Sequence, residues 1–598
     1  MPCSDPRAIY AHPPSCAATQ CWSGSTKASS KRYSDRGTNM DWDLETDLLV
    51  VGSGAAGLTA ALTAASSGLQ SLVLEKADVY GGTTALSGGV IWVPGNSLMG
   101  SADSEDAALT YLRHNIGNRV GEAKLSSLVH FAPKMLDHML ANGFLQVATF
   151  ANFPDYNPEA PGGCFGGRSV EPKVFPGRKL GSALDTLRRG RTRGPIGTLT
   201  ELGGIVGTMT EMRQLAVIRS NPGDALKAWR VIPRGVWNRV SGAKHLASGG
   251  ALIAWLRHAM DREGIPLRLN TALVDLVVED GAVVGAVAER QGETQRIRAR
   301  RGIVIAAGGF EHNLEMRKRF FGEETTTQYS SGSQDNTGDA INAGMQAGAA
   351  VDLMDDAWWA PSFMEPGKGP QIVIFERGKP GNIIVNAGGK RYTNEAQPYN
   401  EIVKQMQEAH RAGPSALPSY LIFDQSHRDR YPLGGMLPGA TPQKLLDSGF
   451  VTRADTLAEL AQRKGIDPIG LADTVARFNR MAEAGVDEEF HRGESAFDRF
   501  AGDPAVSPNP CLAPLATPPF YAMDLYPGDL GTKGGLLTNE RAQVVRPDGT
   551  VMEGLYAAGN SSAAVTGHFY PGAGGTIGPA MTYGYIAALH AAGQLPAP

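Results

Sequence analysis

The stretch Val50-Val51-Gly52-Ser53-Gly54-Ala55-Ala56-Gly57-Leu58 has the spacing needed to grip a pyrophosphate. In a glycine turn between an apolar run and a small-residue helix, Gly52 permits the sharp reversal and Gly54 lets a phosphate approach the main chain. Gly57 lets the helix lie close on the strand. The helix start, running through Ser53, Ala55 and Ala56, offers its N–H groups to the anion. A second apolar run, Ser71 to Leu74, ends in Glu75-Lys76, where Glu75 is placed to accept from ribose hydroxyls. Strand, turn, helix and terminal acid together specify a dinucleotide site.

A second cluster, Gly81-Gly82-Thr83-Thr84-Ala85-Leu86-Ser87-Gly88-Gly89, follows at once. Its small residues make a flat main-chain surface along which the rest of a large cofactor can lie, as a flavin needs and a bare nicotinamide does not. The cluster contains no His, so the expected cofactor is FAD held without a covalent link. The remaining contacts are expected where the chain returns to this site. Val274 sits in a strand meander between Pro266 and Phe310, which closes on Ala306-Ala307-Gly308-Gly309. Asn336-Thr337-Gly338-Asp339 is expected to cap a helix over Ala340 to Gly348, bringing Asp339 to the cofactor. Near the end of the chain come Gly559-Asn560 and then Gly574-Gly575-Thr576-Ile577-Gly578-Pro579. Pro579 suits the first turn of a helix, and the start of that helix, at Ile577, could stabilise negative charge on a reduced flavin.

These elements need a large α/β scaffold, a Rossmann-type FAD-binding domain with an inserted α+β domain capping the substrate. At 598 residues the chain exceeds what one hydrophobic core usually serves. Residues 1–39 lack helical or strand periodicity and are expected to be disordered, with Met40 as an alternative start and a transit peptide left open by the scarcity of acids. Cys3, Cys16 and Cys21 lie in that tail, and only Cys164 and Cys511 lie beyond it. No metal-ligand spacing occurs, so a reduced, cytoplasmic protein without metal or disulfide is expected. A net charge of −4 gives no reason to expect nucleic acid.

These blocks, from about Asp43 to Gly593, resemble the fumarate reductase/succinate dehydrogenase flavoproteins and, among them, the 3-ketosteroid Δ1-dehydrogenases. The resemblance implies an FAD domain of residues 40–352 and 530–598, with a catalytic domain of 353–529 inserted between. Dicarboxylate reductases need cationic clamps and an arginine proton shuttle. Here Arg391-Tyr392-Thr393-Asn394-Glu395 is followed by Ala396-Gln397-Pro398-Tyr399, a tyrosine without an arginine. Tyr156 and Tyr570 stand in two further family blocks, and three tyrosines without a clamp imply an apolar ketone.

By this resemblance flavin N5 takes a hydride from C1, and Tyr399 takes the C2 proton as general base with Tyr156 beside it. Tyr570 and the Gly574 N–H hold the C3 oxygen. A free tyrosine has a pKa of about 10, so the base needs that value depressed or a proton relay. Electrons are expected to leave to a quinone-type acceptor. A relative acting at C4–C5, an enone reductase, and a flavin electron carrier without its own substrate remain alternatives. His568 and Lys533, near these blocks, read as structural.

The segment Arg178 to Lys244 departs from the rest, with thirteen basic residues against four acids, interleaved with apolar side chains. That mixture suits an anionic bilayer, so a peripheral contact with the inner face of the cell membrane is one reading, and a helical hairpin or an oligomer contact with a solvated basic face is the other.

Overall fold

A computed structural model describes residues 42–150, 152–189, 206–217, 222–227 and 229–596. The expectations for residues 1–39, and for the parts of the basic segment at 190–205, 218–221 and 228, lie outside the described residues.

The apolar run that enters the glycine turn forms the strand Leu44–Val51, whose last residues are buried. It pairs in parallel with Ser71–Leu74 on one side and with Glu293–Ile305 on the other. The eight-stranded sheet continues through Val551–Ala557, parallel to Ile303–Ile305, so the C-terminal segment joins the N-terminal one directly. Continuous apolar strands of this kind are buried on both faces. The meander is present as Thr271–Glu279, Ala282–Arg290 and Glu293–Ile305, paired antiparallel in succession.

Helix Ala55–Ser66 is almost entirely Ala, Gly, Leu and Thr, and its first ten residues are buried. Small side chains let it press against helix Ile577–Ala591, where a Cβ at Gly584 would stand 2.4 Å from the Ala56 carbonyl oxygen. The two helices that start at the glycine turn and at Ile577 are thereby locked together.

A second, antiparallel sheet runs Gly369–Ile372, Ala357–Glu365, Phe520–Thr532, Ser419–Asp424 and Asn382–Val385, with Thr452–Ala454 also on Phe520–Thr532. Helix Tyr399–Ala412 covers it, burying Tyr399, Ile402, Val403 and Met406 on one face. Within the basic segment, helices Met209–Ala216 and Val231–Ser241 are described. Among the described residues no helix is long and apolar enough to cross a membrane.

Candidate active site

One cavity of about 1450 Å³ runs from the glycine turn of the first sheet to the aromatic interior beside the second. At the first end, Gly52 has φ +107° and a Cβ there would lie 2.3 Å from the Ala306 carbonyl oxygen, so only glycine fits. Gly54 is different. A Cβ there meets nothing nearer than Thr84 Oγ1 at 3.6 Å, because its open side faces the cavity. Gly57 lies outside the lining and serves packing, its missing Cβ directed 2.0 Å from the Gly52 carbonyl oxygen.

Ser53, Ala55, Ala56, Glu75, Lys76, Gly82, Thr83, Thr84, Ala85, Ser87, Gly88 and Gly89 all line the cavity. So do Ala307, Gly308, Asp339, Gly559, Asn560 and Ile577. Glu75 is held by the Ser53 hydroxyl at 2.5 Å and the Ala77 N–H at 3.1 Å. Val274 is not brought into this set. Its side chain is 48% exposed, whereas Thr271 and Leu273 from the same strand reach the cavity. Alternation along a strand puts neighbouring side chains on opposite faces, and Val274 falls on the outer one.

The helix expected over Ala340 to Gly348 spans Asp339–Gln346, and Gly338, in a left-handed conformation, takes the cap position without a side-chain bond. Thr337 and Asp339 are engaged elsewhere, both accepting from the Lys76 ammonium. Reading along the chain alone could not show that contact.

Among the described residues, four buried polar atoms on the cavity wall have no protein partner: Gln371 Oε1, which accepts, and three that can donate, Arg188 Nε, Ser248 Oγ and Ser331 Oγ. Unpaired groups of this kind are costly unless a ligand satisfies them. Together with the open side of Gly54 and the start of the twelve-residue helix Ala55–Ser66, the three donors fit a long, polar, anionic cofactor.

At the other end Tyr156, Tyr399 and Tyr570 converge, each less than 8% exposed. Their ring centroids are 5.0 Å (Tyr156 to Tyr570), 5.5 Å (Tyr399 to Tyr570) and 5.6 Å (Tyr156 to Tyr399) apart. Tyr399 hydrogen-bonds with both other phenols, and Thr576 with Tyr570. Around them stand Phe153, Phe497, Phe500 and Trp358, an apolar setting that pushes all three phenol pKa values well above their ordinary range. The bond from Tyr570 is the first of three features that act the other way at Tyr399. Tyr399 is also the first residue of the fourteen-residue helix Tyr399–Ala412, where the helix dipole favours negative charge. The buried Arg377 guanidinium also lowers the pKa of both Tyr399 and Tyr156. Arg377 donates to the carbonyls of Glu395 and Gln397, and so fixes the turn that delivers Tyr399.

Gly574 lies beside Tyr570 with φ +86°, and a Cβ there would be 2.5 Å from the Val90 carbonyl oxygen. Its N–H has no protein acceptor among the described residues. Trp358 packs on Tyr570 at 4.9 Å and donates through Nε1 to Asn560 Oδ1 at 3.1 Å, tying the phenols to the cofactor wall. Trp358, Arg377, Thr576 and Ser248 escaped the sequence reading. Thr576, inside the Gly574–Pro579 block, and Ser248, before Gly249-Gly250, carry a local signal, whereas Trp358 and Arg377 carry none.

The family model described as FAD binding domain matches residues 47–577. A 3-oxosteroid 1-dehydrogenase of Mycobacterium tuberculosis is 46% identical over 563 residues, covering 92% of this chain and 99% of its own. The chain belongs to the FAD-binding flavoproteins, among the 3-oxosteroid 1-dehydrogenases. A 4-oxocyclohexanecarboxylate 2-dehydrogenase of Sinomonas cyclohexanicum is 36% identical, covering 92% of this chain and 93% of its own. The crystal structure of 3-ketosteroid delta1-dehydrogenase from Sterolibacterium denitrificans, in complex with 1,4-androstadiene-3,17-dione, matches with a TM-score of 0.88 at 42% identity. That match covers 92% of this chain and 99% of the other. As a member of this family the chain is an FAD-dependent oxidoreductase, and its cofactor is held non-covalently.

Proposed function

We propose that this enzyme introduces a double bond between C1 and C2 of 3-ketosteroids and passes the electrons to a quinone-type acceptor. The observation that carries the reading is the meeting of three buried phenols and the Gly574 N–H at the apolar end of the cavity. When bound, FAD supplies the hydride acceptor.

The protein supplies the rest. Tyr570 and the Gly574 N–H hold the C3 oxygen and stabilise the enolate charge that develops there. Tyr399 removes the C2 proton, helped toward its ionised form by the helix dipole and by Arg377. Tyr156, hydrogen-bonded to Tyr399, orients it. The aromatic wall excludes water and lies along the flat faces of the substrate.

The test is anaerobic mixing of the yellow holoenzyme with androst-4-ene-3,17-dione, followed by identification of the product. Bleaching with a new C1–C2 double bond is expected. Bleaching only with 5α-androstane-3,17-dione, giving a C4–C5 double bond, would replace this reading by the C4–C5 one. A spectrum indifferent to every 3-ketosteroid would leave an electron carrier.

The same enzyme is proposed to rest on an anionic bilayer through the basic segment. Trp229, Ile232, Val236, Trp237 and Val240 are 59–78% exposed along or just before helix Val231–Ser241. Asn238, Lys244 and His245, from the same stretch, line the cavity, so a lipid-soluble steroid would enter from that side. Flotation with vesicles containing anionic lipid should carry the enzyme upward at low salt and release it at high salt. Its absence from the floated fraction at low salt would remove the membrane contact.

A further inference from the structure

The aromatic end of the cavity contains two cations for which dehydrogenation has no use. Lys379 is 5% exposed and lines the cavity, and its Nζ donates to the Gly502 carbonyl oxygen at 2.7 Å. Among the described residues it forms no ion pair with a carboxylate. Arg213, also on the lining, stacks its guanidinium 3.7 Å from the centre of the Phe500 ring and points Nη2 at the Phe500 carbonyl oxygen, 3.4 Å away. Both cations are thus anchored to one turn, Phe500 to Gly502.

They also work against each other. Burial, and then the charge of Arg213, push the Lys379 pKa down to about 8, which still leaves it largely protonated at neutral pH. Two acids stand close enough for their charges to favour the protonated form of Lys379, Asp503 and then Glu376, the latter also on the lining, but neither is bonded to it. Glu376 accepts the N–H groups of Ile374 and Phe375, both at 3.1 Å, and Asp503 accepts the Tyr431 hydroxyl at 2.6 Å and the Ala505 N–H at 3.0 Å. A buried ammonium whose one direct partner is a carbonyl oxygen still gains from an anion that reaches it through the cavity.

The position of the pair fits one end of a long substrate. Phe153 lies 6.5 Å from Tyr156, and Phe500 lies 4.6 Å from Phe153. Arg213 therefore stands two aromatic rings beyond Tyr156, whose ring is 5.0 Å from that of Tyr570. A rigid ring system held at its C3 oxygen by Tyr570 would direct its side chain along that row.

We propose that Lys379 and Arg213 form an anion subsite for the side chain of the substrate, so that this enzyme prefers 3-ketosteroids carrying a side-chain carboxylate. The proposal rests on the reading of the phenols given above. It is tested on the holoenzyme with three probes: a 3-oxo-4-ene steroid bearing a side-chain carboxylate, the methyl ester of that acid, and androst-4-ene-3,17-dione. The wild type should show kcat/KM for the acid above that for the ester by about tenfold or more. Lys379→Met, a swap of similar volume, should collapse that ratio toward one, and Arg213→Gln should lower it in the same direction. An ester used as well as the acid by the wild type would overturn the proposal. So would a ratio that neither substitution moves. Failure of all three probes to bleach a fully flavinylated enzyme would instead end the steroid reading itself.

Discussion

The two ends of the cavity are made of different materials. The cofactor end is main chain: glycine turns and helix starts, with Gly52 and Gly54 doing by absence what a side chain would spoil. The substrate end is side chain: three phenols, an indole and several phenyl rings drawn from segments hundreds of residues apart. A backbone cradle recognises what all dinucleotides share, whereas a side-chain chamber can be re-cut for one ketone. Changes at the two ends should therefore separate two observables, the yellow colour of bound flavin and turnover.

The largest effect is expected at Tyr399. Tyr399→Phe keeps the ring in its packing and removes the base, so kcat should fall about 10³–10⁴-fold while flavin content stays at the wild-type level. Normal turnover would assign the base elsewhere and break the division of labour. Next comes Tyr570→Phe, which removes one donor at the C3 oxygen. A loss of about 10²–10³ in kcat, again with full colour, is expected from stopped-flow bleaching. Gly54→Val inverts the pattern. Because a Cβ there meets only Thr84 Oγ1 at 3.6 Å, the fold should tolerate it, and a branched side chain would fill cofactor space. FAD affinity should drop about a hundredfold by fluorescence titration with little change in thermal stability. A destabilised but fully yellow protein would show that the open side of Gly54 does not face the flavin.

The same contrast governs how much could be read before the structure. The cofactor end is contiguous in sequence, so the spacing of Gly52, Gly54 and Gly57, and the acid at Glu75, betrayed a dinucleotide site without a third dimension. Val274 marks the boundary of that method. A strand can be located from its composition, but which of two adjacent residues faces inward depends on its pairing. The phenols had no local signature, since nothing in the neighbourhood of Tyr156 or Tyr399 distinguishes them from packing tyrosines. They were found through family resemblance, and what supports them lay beyond even that. Arg377 acts through two backbone carbonyls and through space, and Trp358 through a ring face. The resemblance implies an inserted domain from 353 to 529, and the strands of the second sheet run from Ala357 to Thr532.

Arg377 allows the side-chain end to be sharpened. Burial pushes the Tyr399 phenol up, and the Arg377 charge is one of the groups pulling it back down. The base works when deprotonated, so removing the charge should shift the rising limb of kcat/KM to higher pH. Arg377→Met is expected to move that limb by about one unit and to lower kcat/KM at pH 7 about tenfold, with recovery in alkali. Arg377→Lys should restore most of the limb, because it keeps the charge while weakening the hold on the turn. A uniform loss at every pH in both variants would make Arg377 a purely structural residue.

His568 should give the smallest effect, although it is two residues from Tyr570. Its side chain is 51% exposed, Nδ1 bonds Asp356 Oδ2 at 2.8 Å, and the residue does not line the cavity. Burial alone would raise the Asp356 carboxyl. The His568 bond and the charges of Lys533 and Lys404 outweigh it and hold the group well below the ordinary carboxylate range. A carboxylate depressed in the fold contributes stability that is complete above its unfolded pKa, near 4, and lost as pH falls through the folded value. In His568→Ala, Asp356 keeps Lys533 at 3.2 Å, and Lys533 keeps its place 4.8 Å from the Trp358 ring that packs on Tyr570. Turnover should thus change by less than about threefold, while the midpoint of acid unfolding, followed by tryptophan fluorescence, moves upward by a few tenths of a pH unit. A loss of turnover approaching that of Tyr570→Phe would mean that the chamber extends through Trp358 to this surface pair, and the line between catalytic phenols and supporting shell would have to be redrawn around Asp356.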